Sequence, residues 1–180
     1  MNIKTLMGYV LILGLSFFLH AAKPANNLYF STLPLLMIIY PMAVGHRIKF
    51  NFSLKDLSMG LLISAAALLP YYLLFGGNLK SITASYVLFQ LLSISFPEEF
   101  FFRGFLQDSM GRKFKAVLVV SVLFSLAHLP KAIFSNEWIV LLSFFPSLVM
   151  GWLYMKTNNI LPGTVFHLLA NLMYGISTTR

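Results

Sequence analysis

No cysteine occurs among the 180 residues, and only five side chains carry a carboxylate. The first absence excludes disulfides, thiolate nucleophiles and thiolate metal ligands. Charged residues of both signs make up only 10% of the chain, against about 25% in an ordinary soluble domain. Water is therefore not its main solvent. The chain also lacks an internal repeat, a low-complexity tract, or a loop long enough to hold a soluble domain. Whatever it does must be done by its apolar segments.

Those segments are abundant: 58% of the residues are hydrophobic, gathered in blocks that approach the roughly 20 residues a helix needs to cross hydrocarbon. This pattern predicts an all-α fold, a polytopic membrane helical bundle of about seven transmembrane helices in a single domain over 1–180. The spans fall at 5–22, 28–45, 57–75, 84–107, 115–129, 138–155 and 160–177, the fifth being short. The first block, TLMGYVLILGLSFFLHAA behind Lys4, has the basic start and apolar centre of a signal peptide. His20 and the lack of a small-x-small site favour an uncleaved span, ended by Lys23-Pro24.

The formal net charge of +8 is an address rather than a nucleic-acid footprint. Arg47, Lys49 and Lys55 share one loop, and Arg112, Lys113 and Lys115 share another two spans later, on the same side. Lys4 and Lys156 join them, whereas Lys23, Lys80, Lys131 and Arg180 fall opposite. The positive-inside bias then places the N-terminus in the cytoplasm and the C-terminus outside, in an integral multi-pass protein of a cell membrane. The lipid bilayer is its surroundings and anionic headgroups a secondary contact.

Against this background FPEEFFFRGF at 96–105 stands out. A charge at the bilayer centre costs about 2.5–3.5 kcal/mol on insertion scales, so Glu98, Glu99 and Arg103 inside the fourth span are functional candidates. Glu99 and Arg103 are four apart and share a helical face, which suits an ion pair. Glu98 points about 100° away and is left over. Pro97 removes a backbone hydrogen bond beside it and weakens the helix there. In the next span, FSLAH puts Phe124 and His128 on one face; in the last, HLLAN does the same for His167 and Asn171. At 1.5 Å per residue these polar groups lie about 10–20 Å from the same membrane face, so all can meet near the middle. His20 and His46 read as interfacial, and Asn158 and Asn159 as turn residues.

A carboxylate and an imidazole converging on water make a general base, and a second imidazole with an amide makes donors for a developing oxyanion. That inventory hydrolyses an amide without a covalent intermediate. No serine sits in a nucleophile-elbow pattern; Ser125, three before His128, is the nearest. Two histidines and a glutamate are also a ligand set for catalytic zinc or another divalent metal, through Glu98, His128 and His167. HExxH is absent, and the inventory leaves both mechanisms open. The metal-free form is favoured, with no cofactor, because a metal on Glu98 leaves only Glu99 as base. A proton or ion pathway and a non-catalytic membrane scaffold are alternatives of other classes.

EEFFFR at 98–103, FSLAH at 124–128 and HLLAN at 167–171 resemble the EExxxR, FxxxH and HxxxN motifs of the CPBP family, the CAAX-protease and bacteriocin-processing enzymes also called Abi proteins. The run from Phe145 through Gly151, Thr157, Asn158 and Pro162 to His167 resembles a further block. The resemblance implies an intramembrane endopeptidase of glutamic or metallo type. By motif position Glu98 activates water with His128 assisting, His167 and Asn171 form the oxyanion site, and Glu99, Arg103 and Phe124 support them. The implied partner is a peptide or protein substrate reached through the membrane, lipidated or membrane-embedded. The compact size is similar to bacterial members that trim leaders, signalling peptides or sorting tails, rather than to eukaryotic prenyl proteases, and implies a bacterial or archaeal cell membrane.

Overall fold

The computed structural model describes residues 2–23, 28–75 and 82–178. Among these residues all regular structure is helical and no strand occurs. Seven helical segments follow one another: α1 (Ile3–Ala22), α2 (Leu28–Ala43), α3 (Leu54–Phe75), α4 (84–110), α5 (Phe114–Ser135), α6 (Trp138–Thr157) and α7 (Leu161–Thr178). The all-helical membrane bundle is thus as expected. By length and composition four helices can cross a membrane, Ile3–Ala22, Leu54–Leu74, Phe114–Ser135 and Trp138–Thr157, and the apolar stretch Ser31–Ala43 is shorter.

Local signals explain the segment ends. Asn2 caps α1 by accepting from the Thr5 N–H, and Lys23 ends it in the left-handed region at φ 42°, donating to the Leu19 carbonyl. Pro24, credited with that stop, lies outside the described residues, as do Lys80 and Arg180. Thr83 caps α4 through the Tyr86 N–H. Asn158 closes α6 at φ 56°, with its N–H on the Tyr154 carbonyl.

The fifth segment departs from the expectation of a short span. Phe114–Ala127 meets His128 at φ −87° and ψ −4°, and a second helix, Leu129–Ser135, starts at once with Pro130 in its first turn. Proline is tolerated there because the first N–H groups of a helix have no intrahelical partner. The pair bends rather than stops, and together it spans 22 residues.

The polarity of the bundle is inverted relative to a soluble protein. Leu61, Leu62, Leu69, Leu73 and Leu74 of α3 face outward, while Glu99, Arg103, Gln107, Ser121 and Ser147 are buried. That suits a hydrocarbon surround, where ionisable groups turn to the interior. The centre of α4 forms the core: Phe101, Phe102, Phe105 and Leu106 pack with Tyr9 and Ile12 of α1, Met37 of α2, Val120 and Phe124 of α5, Met150 and Leu153 of α6, and Phe166 of α7.

Candidate active site

The helix that carries the acidic pair is not a plain α-helix. Within α4, α-helical Ala84–Phe89 passes into a π-helix at Gln90–Ser95, an α turn at Phe96–Glu99, a second π-helix at Phe100–Gln107 and a last turn at Asp108–Met110. The Phe96 N–H bonds the Leu91 carbonyl and the Asp108 N–H reaches the Arg103 carbonyl, both five residues back. Such wide turns are rare and concentrate at functional sites. Pro97 lies in the α turn between them, so the missing N–H expected to weaken the helix falls where the backbone changes winding.

The widened winding aligns side chains. Tyr86, Gln90, Ile94, Glu98 and Phe102 line one cavity at a four-residue spacing, with Phe89 and Ser93 beside them. In a pure α-helix each four-residue step drifts by about 40°, or about 160° from first to last. Turns closed at five residues absorb that drift and hold the row on one wall.

The two glutamates have different surroundings. Glu99 is fully buried, with Oε2 3.4 Å from Arg103 Nε, the ion pair their spacing suggested. Arg103 is also fully buried; it donates to Ser147 Oγ at 3.0 Å and the Ser147 carbonyl at 3.3 Å, and its guanidinium carbon lies 4.8 Å from the centre of the Phe124 ring. One turn on, Gln107 donates to the Gly151 carbonyl at 2.8 Å. Arg103 and Gln107 thereby clamp α4 to α6.

Glu98 retains 18% side-chain exposure where Glu99 retains none. It lines a cavity of about 550 Å³ together with His128, Asn171, Gln90, Ser16 and His20. His167 stands behind it, 5% exposed. Its Nε2 lies 3.7 Å from Glu98 Oε2 and its Nδ1 lies 3.4 Å from Glu99 Oε1, so the imidazole is set between the two carboxylates. Glu98 Oε2, both Glu99 oxygens and His167 Nδ1 make no direct hydrogen bond. His167 itself is absent from the cavity wall.

His128 has a defined tautomer. Its Nδ1 lies 2.8 Å from the Phe124 carbonyl, which can only accept, so Nδ1 carries a proton and the lone pair of the uncharged ring is on Nε2. Phe124 is the hub of the site, its ring 4.9 Å from the His128 ring and 5.7 Å from that of His167. A second cavity of about 570 Å³, lined mostly by α3, α6 and α7, shares His128, Lys131, Asn171 and Tyr174 with the first. His128 and Asn171 therefore stand where the two cavities meet.

Glu98, His128 and His167 do not come together as a ligand set: among the described residues no group of three or more His, Cys, Asp or Glu side chains is placed to hold a metal ion. Ser125 is committed elsewhere, its hydroxyl donating to the Leu141 carbonyl at 2.7 Å.

Several participants carry no sequence signal that singles them out. Gln90, 8% exposed, accepts from Asn171 Nδ2 at 3.2 Å. His20, read as interfacial, holds the Ser16 carbonyl with Nδ1 and lines the cavity. His46, also read as interfacial, contacts the Gly104 carbonyl at 3.0 Å and Asp108 at 3.3 Å. Asn159 does more than turn the chain: it donates to the Asn51 carbonyl and to Asp56, tying the α6–α7 turn to the loop before α3. The only advance hint for Gln90 was its polarity inside an apolar block.

A polytopic helical bundle whose ionisable side chains converge inward on cavities belongs to the class of membrane proteins with a reaction or transport centre within the bilayer. Residues 80–173, more than half of the chain, match the family described as type II CAAX prenyl endopeptidase Rce1-like, and the chain belongs to that family. The match covers all three motifs. The chain is also 33% identical over 99 residues to UPF0177 protein YxdF of Lactococcus lactis subsp. lactis (strain IL1403), an alignment covering 55% of this chain and 52% of that protein. It thus spans about half the length of this curated relative. No solved structure matches.

Proposed function

We propose that the chain is an intramembrane endopeptidase in which Glu98 activates water for attack on a peptide bond. The observation that carries this reading is the division of labour between adjacent glutamates: Glu99 is buried against Arg103, whereas Glu98 opens on a cavity shared with His128 and Asn171.

Glu98 takes a proton from water while His128 Nε2 accepts the water's other hydrogen bond and orients it. The water oxygen bonds to the scissile carbonyl carbon. Asn171 Nδ2 donates to the oxygen as it gains charge, with His167, behind Glu98 here, as the second donor once its ring turns to the cavity. The proton held on Glu98 passes to the leaving nitrogen, the C–N bond breaks, and a carboxylic acid and an amine remain. No step runs through a metal; the rival form of the same hydrolysis, zinc activation by Glu98, His128 and His167, requires these side chains to draw together from where they stand here.

The two cavities give the substrate its path: an extended segment lies in both with its scissile bond at their junction. Apolar walls and a lipid surround favour a lipidated or membrane-embedded peptide, delivered laterally to a protein of seven crossings with its N-terminus in the cytoplasm. We place the chain in bacterial processing of peptides, leaders or sorting tails.

The test uses protein in liposomes with two reporters, a farnesylated peptide with three residues after the modified cysteine and an unmodified transmembrane peptide. Mass spectrometry reads the cut for wild type, Glu98→Gln and His128→Ala, with metal content measured on the same samples. We expect cleavage by metal-free protein, lost about 10²-fold or more in Glu98→Gln. Stoichiometric zinc that disappears with activity in His128→Ala favours the metal form. No cleavage of either reporter, or an unimpaired Glu98→Gln variant, rejects the hydrolytic reading.

A further inference from the structure

We infer that Gln90 is a positioning residue: its carbonyl holds one N–H of the Asn171 side-chain amide and so turns the second N–H toward the reaction centre. This inference rests on the proposed hydrolysis, in which Asn171 donates to the oxyanion.

An asparagine amide is planar, with one face of its edge donating and the other accepting. Turned by 180°, Asn171 presents Oδ1 instead of Nδ2, and a lone pair then meets the developing negative charge. The choice between these orientations decides whether the residue stabilises or repels the transition state. With its oxygen turned to Asn171, Gln90 Oε1 lies 3.2 Å from Asn171 Nδ2 and in that orientation opposes the flipped asparagine. One N–H of Asn171 is held by Gln90, and amide geometry directs the other about 120° away. Both residues lie on the wall of the 550 Å³ cavity that Glu98 also lines. Gln90 opens the first π segment and belongs to the four-residue row that this winding keeps aligned with Glu98. Preorganisation of this kind is what makes a donor effective, because no reorientation is left for the moment of reaction.

Cleavage of the reporter that wild type cuts is measured under saturating and limiting substrate for Gln90→Leu, Gln90→Glu, Asn171→Ala and the Gln90→Leu/Asn171→Ala double variant. Removing an oxyanion donor typically lowers kcat by about 10²–10³. Gln90→Leu is expected to lower kcat by at least about tenfold with KM within about twofold, as for an interaction made only in the transition state. Gln90→Glu keeps an acceptor oxygen in either protonation state and restores most of the loss. The double variant is no slower than Asn171→Ala, because Gln90 acts through Asn171. A structural role predicts instead additive losses and no recovery by glutamate. Should Gln90→Leu misfold in detergent, Gln90→Met, close in shape, carries the same comparison. Gln90→Leu or Gln90→Met at wild-type kcat, or additive effects in the double variant, overturn the inference while Asn171→Ala remains impaired. A wild type that cuts neither reporter, or a fully active Asn171→Ala, overturns the parent reading and the inference with it.

Discussion

Glu98 and Glu99 are chemically identical neighbours, and their difference lies wholly in what surrounds them. Glu99 and Arg103 are both without exposure and hold one another. Removing one partner of such a pair strands the other charge in the interior, at about 3–5 kcal/mol. Glu99→Gln is therefore expected to lower thermal stability in detergent by several degrees or to prevent folding. Glu98→Gln, on a cavity wall, should unfold within about 1 kcal/mol of wild type while losing cleavage. Circular dichroism melts of the two variants side by side check this; equal destabilisation would remove the distinction on which the site rests. Gly163 supports the same pair from α7. A Cβ at this position would lie 2.6 Å from Glu99 Oε2, so Gly163→Ala must displace either the carboxylate or α7. It is expected to cost about 1–3 kcal/mol, read in the same melts, with activity falling alongside.

Much of the architecture was legible because membrane segments announce themselves by length and apolarity. The seven segments, the Glu99–Arg103 pair at i,i+4 and the shared faces of Phe124 with His128 all follow from helical spacing. What the sequence conceals is winding. Nothing in QLLSIS or FFFRGFLQ distinguishes a π-helix from an α-helix, since neither holds a proline and the same residue types occur in either winding. The row at 86, 90, 94, 98 and 102 drifts by about 160° on a 3.6-residue wheel, and Gln90 offered only its polarity inside an apolar block. The fifth span reads short for a related reason: Pro130 follows its expected end at 129, but in the first turn of a new helix it continues the segment. The clamp between α4 and α6 offers a test of how rigidly this winding is held. Gly151 has Val117 Cγ1 2.9 Å and Gln107 Oε1 3.0 Å from where a Cβ would sit. Gly151→Ala should therefore break the Gln107 bond and push α6 from α4 and α5, costing about 1–3 kcal/mol. Ser147→Ala, which removes only the Oγ contact to Arg103, should cost less, about 1–2 kcal/mol. If denaturant titration in mixed micelles shows the serine change to be the larger, packing is not what fixes α6 against α4.

The bundle is closed at one end by a polar knot around Asp108, just beyond the apolar part of α4. Lys49 donates to Asp108 Oδ1 at 2.9 Å and Tyr154 to the same oxygen at 2.8 Å, while His46 Nε2 lies 3.3 Å from Oδ2. One carboxylate thus joins the α2–α3 connection, the end of α4 and α6, and the adjacent Lys49 carbonyl accepts from Ile160 N–H at the start of α7. Burial raises the Asp108 pKa, but hydrogen bonds from Lys49 and Tyr154 and the charges of Lys49 and His46 outweigh it and hold the group below the usual carboxylate range. A carboxyl with a lowered folded pKa binds its proton more readily when unfolded, so stability rises with pH across that window. The contribution is fully present above the unfolded value of about 3.9 and is lost as pH falls through the lower folded value. The positive excess of the chain, +8 formally, grows as other carboxylates protonate and adds self-repulsion in the same direction. Melting temperatures of wild type and Asp108→Asn in a nonionic detergent, from pH 7 down to pH 3, separate the two effects. The variant should melt well below wild type at pH 7, and the gap should narrow steadily below about pH 4. A gap that stays constant to pH 3 would mean that Asp108 acts through shape rather than charge, leaving general repulsion as the source of any acid sensitivity.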